Sequence, residues 1–359
     1  MNTSTDRLLL FGGAVLFLIV LCIALLYPES NENTQSNSSI QDSSNMDYTK
    51  YVELGDYKNI DTGITRKEVS IVDIEDEYKN VLRSYGTFYV EDKDGKVDQG
   101  DLVSIEYTMG ETTGPFSMQG VIGNNEFPEE MENAMAQAML GDTVTAKLSE
   151  ESTEEYKITI VDIDVLGDAT DEQIAALGID NISTVNDLKK EIENHLSEEK
   201  ENEYRVEKTN KIKEICFENS TFTDMPSDYI APFKEVLRTL LDTTLESYKE
   251  TDENATIDDV LKETYEKDNI SNVDEYLDKY GLQNAQTYAM VQKIAQAENI
   301  KTEELDVYSL AAADWLQVTD QYPTFKEYVS DTDIFLYEYT ALSNKVFDYL
   351  YEINEQGAE

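Results

Sequence analysis

GVIGNNEFPEEMENAMAQAMLGD, residues 120–142, decides how the middle of this chain is read. Met131, Ala134, Met135, Ala138 and Met139 recur at helical spacing on one face, and Gly141 supplies a C-terminal stop, so a short amphipathic helix is expected across EEMENAMAQAML. Its flanks have the other period. LVSIEYTM (102–109) alternates as a half-buried strand does, and TVTAKL (143–148) and YKITIVDIDVL (156–166) read as two more strands. A short helix set among strands describes a small antiparallel β domain.

Working outward, DKDGKVDQGD (92–101) supplies turn residues. Before it, Val72, Ile74 and Tyr78, then Val81, Leu82 and Tyr85, fit a strand end passing into an amphipathic helix. On the far side, Thr184 and Asp187 form a capping box before a helical run from Val185 to about Glu218. The middle of that run, SEEKENEYRVEKTNK, is almost wholly polar, which suits an arm bridging two packed ends. Met225 and Pro226 open another helix. Its stripe of Tyr229, Phe233, Val236, Leu237, Leu240, Leu241, Leu245 and Tyr248 is wider than one packing seam requires. Further helices are expected around VDEYLDKYGL, NAQTYAMVQKIAQAEN and DIFLYEYTALSNKVFDYLYEIN.

Composition excludes several classes. The chain has 359 residues, 40% hydrophobic and 10% aromatic, enough to bury cores in two or three domains. With Lys+Arg 28 against Asp+Glu 75, its formal net charge is -47, a field that repels phosphate backbones, so no nucleic-acid partner is expected. His195 is the single histidine and Cys216 the single cysteine beyond residue 22. No multi-histidine metal site, Cys-His nucleophile or disulfide within the main body follows from that inventory, and no metal or cofactor is expected.

From Leu8 to Tyr27 the sequence LLLFGGAVLFLIVLCIALLY carries no charge and, at ~1.5 Å per residue, matches a hydrocarbon core of ~30 Å. It reads as a membrane helix. Large residues and Pro28 follow it, against signal cleavage, and Leu21 before Cys22 is too bulky for a lipoprotein site. Arg7 precedes it and Glu29 and Glu32 follow, which places the N-terminus in the cytoplasm and the bulk of the chain outside, as a single-pass protein of the cell membrane. Residues 29–48, rich in Ser, Asn and Gln, read as a flexible tether.

QGDLVSIEYT, the spacing Gly123, Phe127, Met131, Glu132, AMLGDTVTAKL and ITIVDIDVL together resemble the FKBP-type prolyl isomerase fold. LGDYKNI with VSIVDIEDEYKNVLRSYGTF, and STVNDLKKEIENHLSEEKENEYRVEKTNKIKEICFEN followed by Met-Pro and a helix, resemble the trigger factor family. After the cytoplasmic tip and transmembrane anchor (1–28) and the tether (29–48) read above, the resemblance, which covers roughly residues 51–350, implies an α+β chain with a linker strand and helix (49–97), an FKBP-like domain (98–166) and an all-α extended chaperone domain (167–359). It implies a prolyl pocket with Met131 at the floor, Phe127 and Pro128 just before it, Tyr107 on a wall, Met118 at an aromatic position and Val161 on the last strand. It also implies that unfolded exported polypeptides bind the helical domain, for which Tyr229, Phe233, Leu237 and Leu241 are the candidate contacts.

Two departures shape the expectation. The family's ribosome-binding domain, with its basic GFRxGKxP-like loop, has the membrane helix and tether in its place, so ribosome docking is not expected. Met131 stands where the resemblance implies a bulky aromatic, and TMGETTGP and SEESTEE are too short for the family's acid-bearing strand and flap. The sequence therefore points to a membrane-anchored folding factor with weak or lost isomerase activity. The alternatives are an active prolyl isomerase and a non-catalytic surface scaffold.

Overall fold

A computed structural model of the chain describes residues 46–110, 113–147, 155–249, 253–265, 270, 272–332 and 334–355. The expected membrane helix and residues 148–154, which hold all of the SEESTEE loop but Glu155, lie outside the described residues. Among the described residues no helix is long and apolar enough to cross a membrane. In chain order the elements are β1 (Val52–Glu53), α1 (Ile71–Tyr85), β2 (Tyr89–Glu91), β3 (Leu102–Met109), β4 (Thr113–Val121), α2 (Glu129–Met135), β5 (Thr143–Ala146), β6 (Tyr156–Leu166) and α3 (Asp171–Ala176). There follow α4 (Val185–Asn219), β7 (Thr221–Phe222), α5 (Ser227–Lys249), α6 (Ile257–Tyr265), α7 (Val273–Glu298), α8 (Glu304–Trp315), α9 (Phe325–Asp331) and α10 (Phe335–Glu355). They form two compact units: Glu68–Lys200, and Glu201–Glu359 together with the segment that ends at Lys67.

The first unit is built on an antiparallel sheet of order β2-β6-β3-β4, with β5 also on β6. Val103, Ile105, Ile158, Ile160 and Ile163 point to one core with Phe127, Met131 and Met135. Strand β4 was not expected. TGPFSMQGV lacks a clear alternation, and its order comes from the ladder it makes with β3, Leu102 opposite Val121 through Tyr107 opposite Phe116. The expected strand end around Val72 is helix instead: Ser70 and Asp73 exchange backbone-to-side-chain hydrogen bonds of 2.9 and 3.1 Å, a capping box that starts α1 at Ile71. Tyr78, Val81 and Leu82 are its buried face.

Helix α2 also ends earlier than its Met/Ala stripe suggests. Gln137 takes a positive φ of 65°, and the next residues pair with the 96–97 segment: Gln137 N donates to Val97 O at 3.0 Å and Val97 N to Ala138 O at 2.8 Å. Met139 thereby leaves the helical face, and Gly141 serves the turn into β5.

Residues 167–200 belong to this sheet unit and not to the helical one, because Ile174, Ile182, Leu188 and Ile192 are buried here. The Thr184/Asp187 capping box forms as expected, with both bonds at 3.0 Å. Lys189 to Glu75 (2.5 Å) and Lys200 to Asp73 (2.6 Å) join α4 to α1, and the Lys200 bond holds the Asp73 carboxyl down to about 2.

The second unit is helical but not all-α. Val52 and Glu53 of β1 pair antiparallel with Phe222 and Thr221 of β7. Its main core gathers Ile212 and Cys216 of α4, Phe233 of α5, Tyr288, Met290, Val291 and Ile294 of α7, and Val346 and Leu350 of α10. Burial pushes the Cys216 thiol up to about 12, so it is an inert core group.

The polar middle of α4 departs from the expected solvated arm. Tyr204 and Lys208, one turn apart, are buried, and Lys208 donates to the Glu355 carboxylate and, at 3.0 Å, to the Tyr204 hydroxyl. Arg66 completes the group through Glu355 (2.7 Å) and Glu201 (2.8 Å). Residues 46–48, assigned by composition to the tether, are likewise part of this unit's packing.

Candidate functional site

In the sheet unit, the residues aligned with a prolyl pocket divide. Tyr107, Met118, Phe127 and Met131 belong to one apolar cluster, but Phe127 and Met131 are core members, Met131 being 3% exposed. The Phe127 ring lies so close to Gly120 that a Cβ there would meet it at 3.0 Å. Glu132 explains its own place in the motif: its carboxylate accepts from the Gly123 N–H at 3.1 Å and fixes the turn, where Gly123 has a φ of 88°. Pro128 is exposed ahead of α2.

Val161 is corrected outright. The β3/β6 register slips there, with Ser104 opposite Asp162 and Ile105 opposite Ile160, so Val161 is the extra residue of a bulge and stands 48% exposed, away from the core. What remains at the surface is an aromatic row: the Tyr107 ring lies 5.5 Å from Phe116 and 6.2 Å from Tyr156. Prolyl rotation needs an apolar basket that desolvates the imide. Here the floor positions are spent on the core.

In the helical unit, the four α5 candidates also divide. Leu237 and Leu241 are buried with Leu261, Ile270, Tyr276 and Leu277. Phe233 packs edge-on against Tyr288, Phe335 and Tyr339 at 5.3–6.0 Å. Tyr229 is half-buried. None of Phe233, Leu237 and Leu241 offers open surface, because α7 and α6 take up the stripe that looked too wide.

Tyr229 and Phe233 are covered by a residue that periodicity missed. Tyr48 is fully buried, its ring 4.9 Å from Tyr229, 6.0 Å from Phe233 and 5.1 Å from Tyr288. Its backbone N–H donates to Gln292 Oε1 at 3.0 Å. Burying a ring of this size contributes roughly 1.5–3 kcal/mol. The signal was NMDYTKYVEL, whose apolar residues break the polar tract; nothing in the sequence singles out Gln292.

Exposed apolar surface lies instead on α8. Leu305 is 74% exposed and Leu316, just past the helix, 63%; Tyr308 lies between them on the same side, its ring 6.1 Å from Phe325. The opposite side of α8 is anchored by a buried chain of bonds: Tyr328 and Tyr337 hydroxyls at 2.6 Å, and Tyr337 donating to Asp314 at 2.7 Å. Burial raises the Asp314 carboxyl above its ordinary range. Among the described residues no group of His, Cys, Asp and Glu is placed to hold a metal ion.

Residues 184–352 match the family model of the bacterial trigger factor protein C-terminus. The trigger factor-like region therefore runs from the cap of α4 into α10 and takes in α5 to α9. A solved structure described as "Promiscuous Substrate Recognition in Folding and Assembly Activities of the Trigger Factor Chaperone" aligns at 15% identity with a TM-score of 0.41, covering 84% of this chain and 72% of that one. Among curated proteins none matches the chain by sequence.

Proposed function

We propose that this protein is a trigger factor-like chaperone that holds apolar segments of unfolded exported polypeptides, anchored to the membrane by residues 8–27 with its bulk outside the cytoplasm. The observation that carries the reading is the trigger factor C-terminal match over residues 184–352. The α8 side supports it: Leu305, Tyr308 and Leu316 present apolar surface on a chain whose net charge of -47 keeps complexes soluble. The sheet unit serves as a frame with weak or no isomerase activity, a reading supported by the burial of Met131 and Phe127.

The test uses the full chain in nanodiscs, with empty nanodiscs as control. It should slow aggregation of an unfolded, proline-poor client, and basic clients should be held better than acidic ones. That preference should shrink as salt shortens the Debye length from ~10 Å at 0.1 M to ~3 Å at 1 M. Leu305→Glu with Leu316→Glu should remove protection without altering the far-UV helix signal. A folded chain that protects no client at any salt defeats the reading. Anchorage is checked in intact cells, where added protease should remove everything beyond about Ser30; full protection alongside a cleaved surface marker would reverse the orientation.

A further inference from the structure

Glu75, Lys79 and Arg83 follow one another at intervals of about one turn on α1, so they form a single ridge along the helix. The ridge walls a cavity of about 500 Å³ within the sheet unit, closed on its other sides by the 99–101 turn, residues 165–169 and the first turns of α4. That size suits a small molecule. The two ends of the cavity differ in charge. At one end Arg83 donates from Nη1 to Asn80 Oδ1 at 3.0 Å and lies against Gly100, where a Cβ would come within 2.4 Å of Nη2. Its Nε is buried and finds no acceptor among the described residues. A buried donor without an acceptor is costly, and the Nε/Nη edge of an arginine is shaped for a carboxylate. Asp101 does not supply one: its Oδ2 accepts from Asp98 N at 2.8 Å, burial raises its carboxyl above the ordinary range, and Nε gains no bond from it. Lys79, one turn away, has no hydrogen bond or ion pair among the described residues. At the other end Lys189 pairs with Glu75 at 2.5 Å and stands 4.6 Å from the Tyr78 ring, which leaves Asp168 there as a carboxylate without a cation among the described residues. Burial, and after it the charges of Asp168 and Glu75, raises the Tyr78 hydroxyl, which places both carboxylates at this end.

From this arrangement we infer that the cavity binds a small extended zwitterion, with its carboxylate on Arg83 and Lys79 and its ammonium group at Asp168. The ridge sets the length of the ligand. Glu75 and Arg83 stand two turns apart, about 12 Å along the helix, so a molecule whose two charges sit on neighbouring atoms does not reach both ends. The charges set its kind. Glu75, Asp101 and Asp168 line the same space as the cations, so a phosphate dianion meets repulsion there, while a ligand that is neutral overall and charged at both ends matches each end in turn. Free ω-amino acids and short free peptides share this pattern. The cavity has no residue in common with the aligned prolyl pocket, and the inference stands independently of the client-holding reading.

The experiment is calorimetric titration of the full chain in nanodiscs, against empty nanodiscs, with four probes: 6-aminohexanoate, hexanoate, triglycine and inorganic phosphate. 6-Aminohexanoate should bind at least tenfold more tightly than hexanoate, and phosphate should not bind. Arg83→Met should weaken both carboxylates at least tenfold. Asp168→Asn, a change at an exposed residue, should bring 6-aminohexanoate down to the affinity of hexanoate without weakening hexanoate, and it keeps the test decisive if Arg83→Met fails to fold. Bound 6-aminohexanoate should also slow hydrogen exchange in residues 99–101 and 166–169. Binding of either zwitterion with this dependence on Arg83 and Asp168 supports the site, and the tighter of triglycine and 6-aminohexanoate tells whether peptides or ω-amino acids are its source. Equal affinity for hexanoate and 6-aminohexanoate overturns the inference, as does phosphate binding that Arg83→Met abolishes. So does the failure of every probe to bind, or binding that neither variant alters.

Discussion

Removing Glu355 should cost far more than removing its partner Lys208, although the two share one ion pair. The Lys208 side chain is 5% exposed, and in Glu355→Leu its ammonium keeps the Tyr204 hydroxyl at 3.0 Å and the Tyr204 and Tyr351 rings at 5.4 and 6.0 Å but no counter-ion. Leaving a buried charge without its counter-ion costs about 3–5 kcal/mol. In Lys208→Met the stranded group is Glu355, which is 26% exposed and retains Arg66 at 2.7 Å and the Tyr204 hydroxyl at 3.0 Å. That loss should be about 1–2 kcal/mol, nearer the surface-pair range. Lys208→Met with Glu355→Leu places apolar groups where the pair stood, so the double variant should fall short of the sum by about 1–3 kcal/mol. Trp315, the single tryptophan, lies in the helical unit with its Nε1 donating to Tyr322 O at 2.9 Å, so urea unfolding followed by its fluorescence reports this unit. At a urea dependence of about 2 kcal/mol per molar, Glu355→Leu should move the midpoint down by about 1.5–2.5 M. Equal losses in the two single variants, with a double variant equal to their sum within about 0.5 kcal/mol, would refute the account of a buried, asymmetrically shared pair.

Other expectations follow from single sites. The Glu298 carboxyl is held down to about 2, from an ordinary 4.5, by hydrogen bonds from Lys58, Tyr349 and Tyr57. A depressed carboxyl stabilises fully above its unfolded value and progressively less as pH falls through the folded one. The stability gap between the native chain and Glu298→Gln should therefore be constant above about pH 5 and close between pH 4.5 and 2, read from urea midpoints across that range. Phe127→Ala should destabilise the sheet unit by about 3–5 kcal/mol through the cavity it opens, measured by thermal far-UV circular dichroism. The native chain should barely speed isomerisation of an Ala-Pro peptide; a rate matching an intact FKBP-type domain, lost on Phe127→Ala, would mean the pocket is open after all.

Much of the fold was legible because burial leaves a local period. β3, β5, β6, the Thr184/Asp187 cap and the α5 stripe are all written in neighbouring residues. What escaped depends on partners far along the chain. β4 exists through its ladder with β3, and α2 stops where Val97 claims the backbone of Gln137 and Ala138. The bulge at Val161 is invisible because Ile160, Val161 and Ile163 are all apolar, so either register satisfies the pattern. The candidate sites suffered in the same way. Tyr48 lies 244 positions from Gln292, and Lys208 147 from Glu355, distances at which no window of sequence carries a signal.

Asn354 of α10 accepts from Ile60 N at 2.7 Å and donates to Tyr57 O at 3.2 Å, so the helical unit is closed by residues on either side of the sheet unit in sequence. A chain emerging from its N-terminal side can complete Glu68–Lys200 while it grows, but the helical unit must wait for α10. At about 5–20 residues per second the roughly 150 residues from Glu201 to the end of α10 take some 10–30 s to appear. Throughout that interval the segment around Tyr48 lacks the rings of Tyr229, Phe233 and Tyr288 that later bury it, and the protein's birth includes a spell as an unfolded polypeptide of the kind it is proposed to hold.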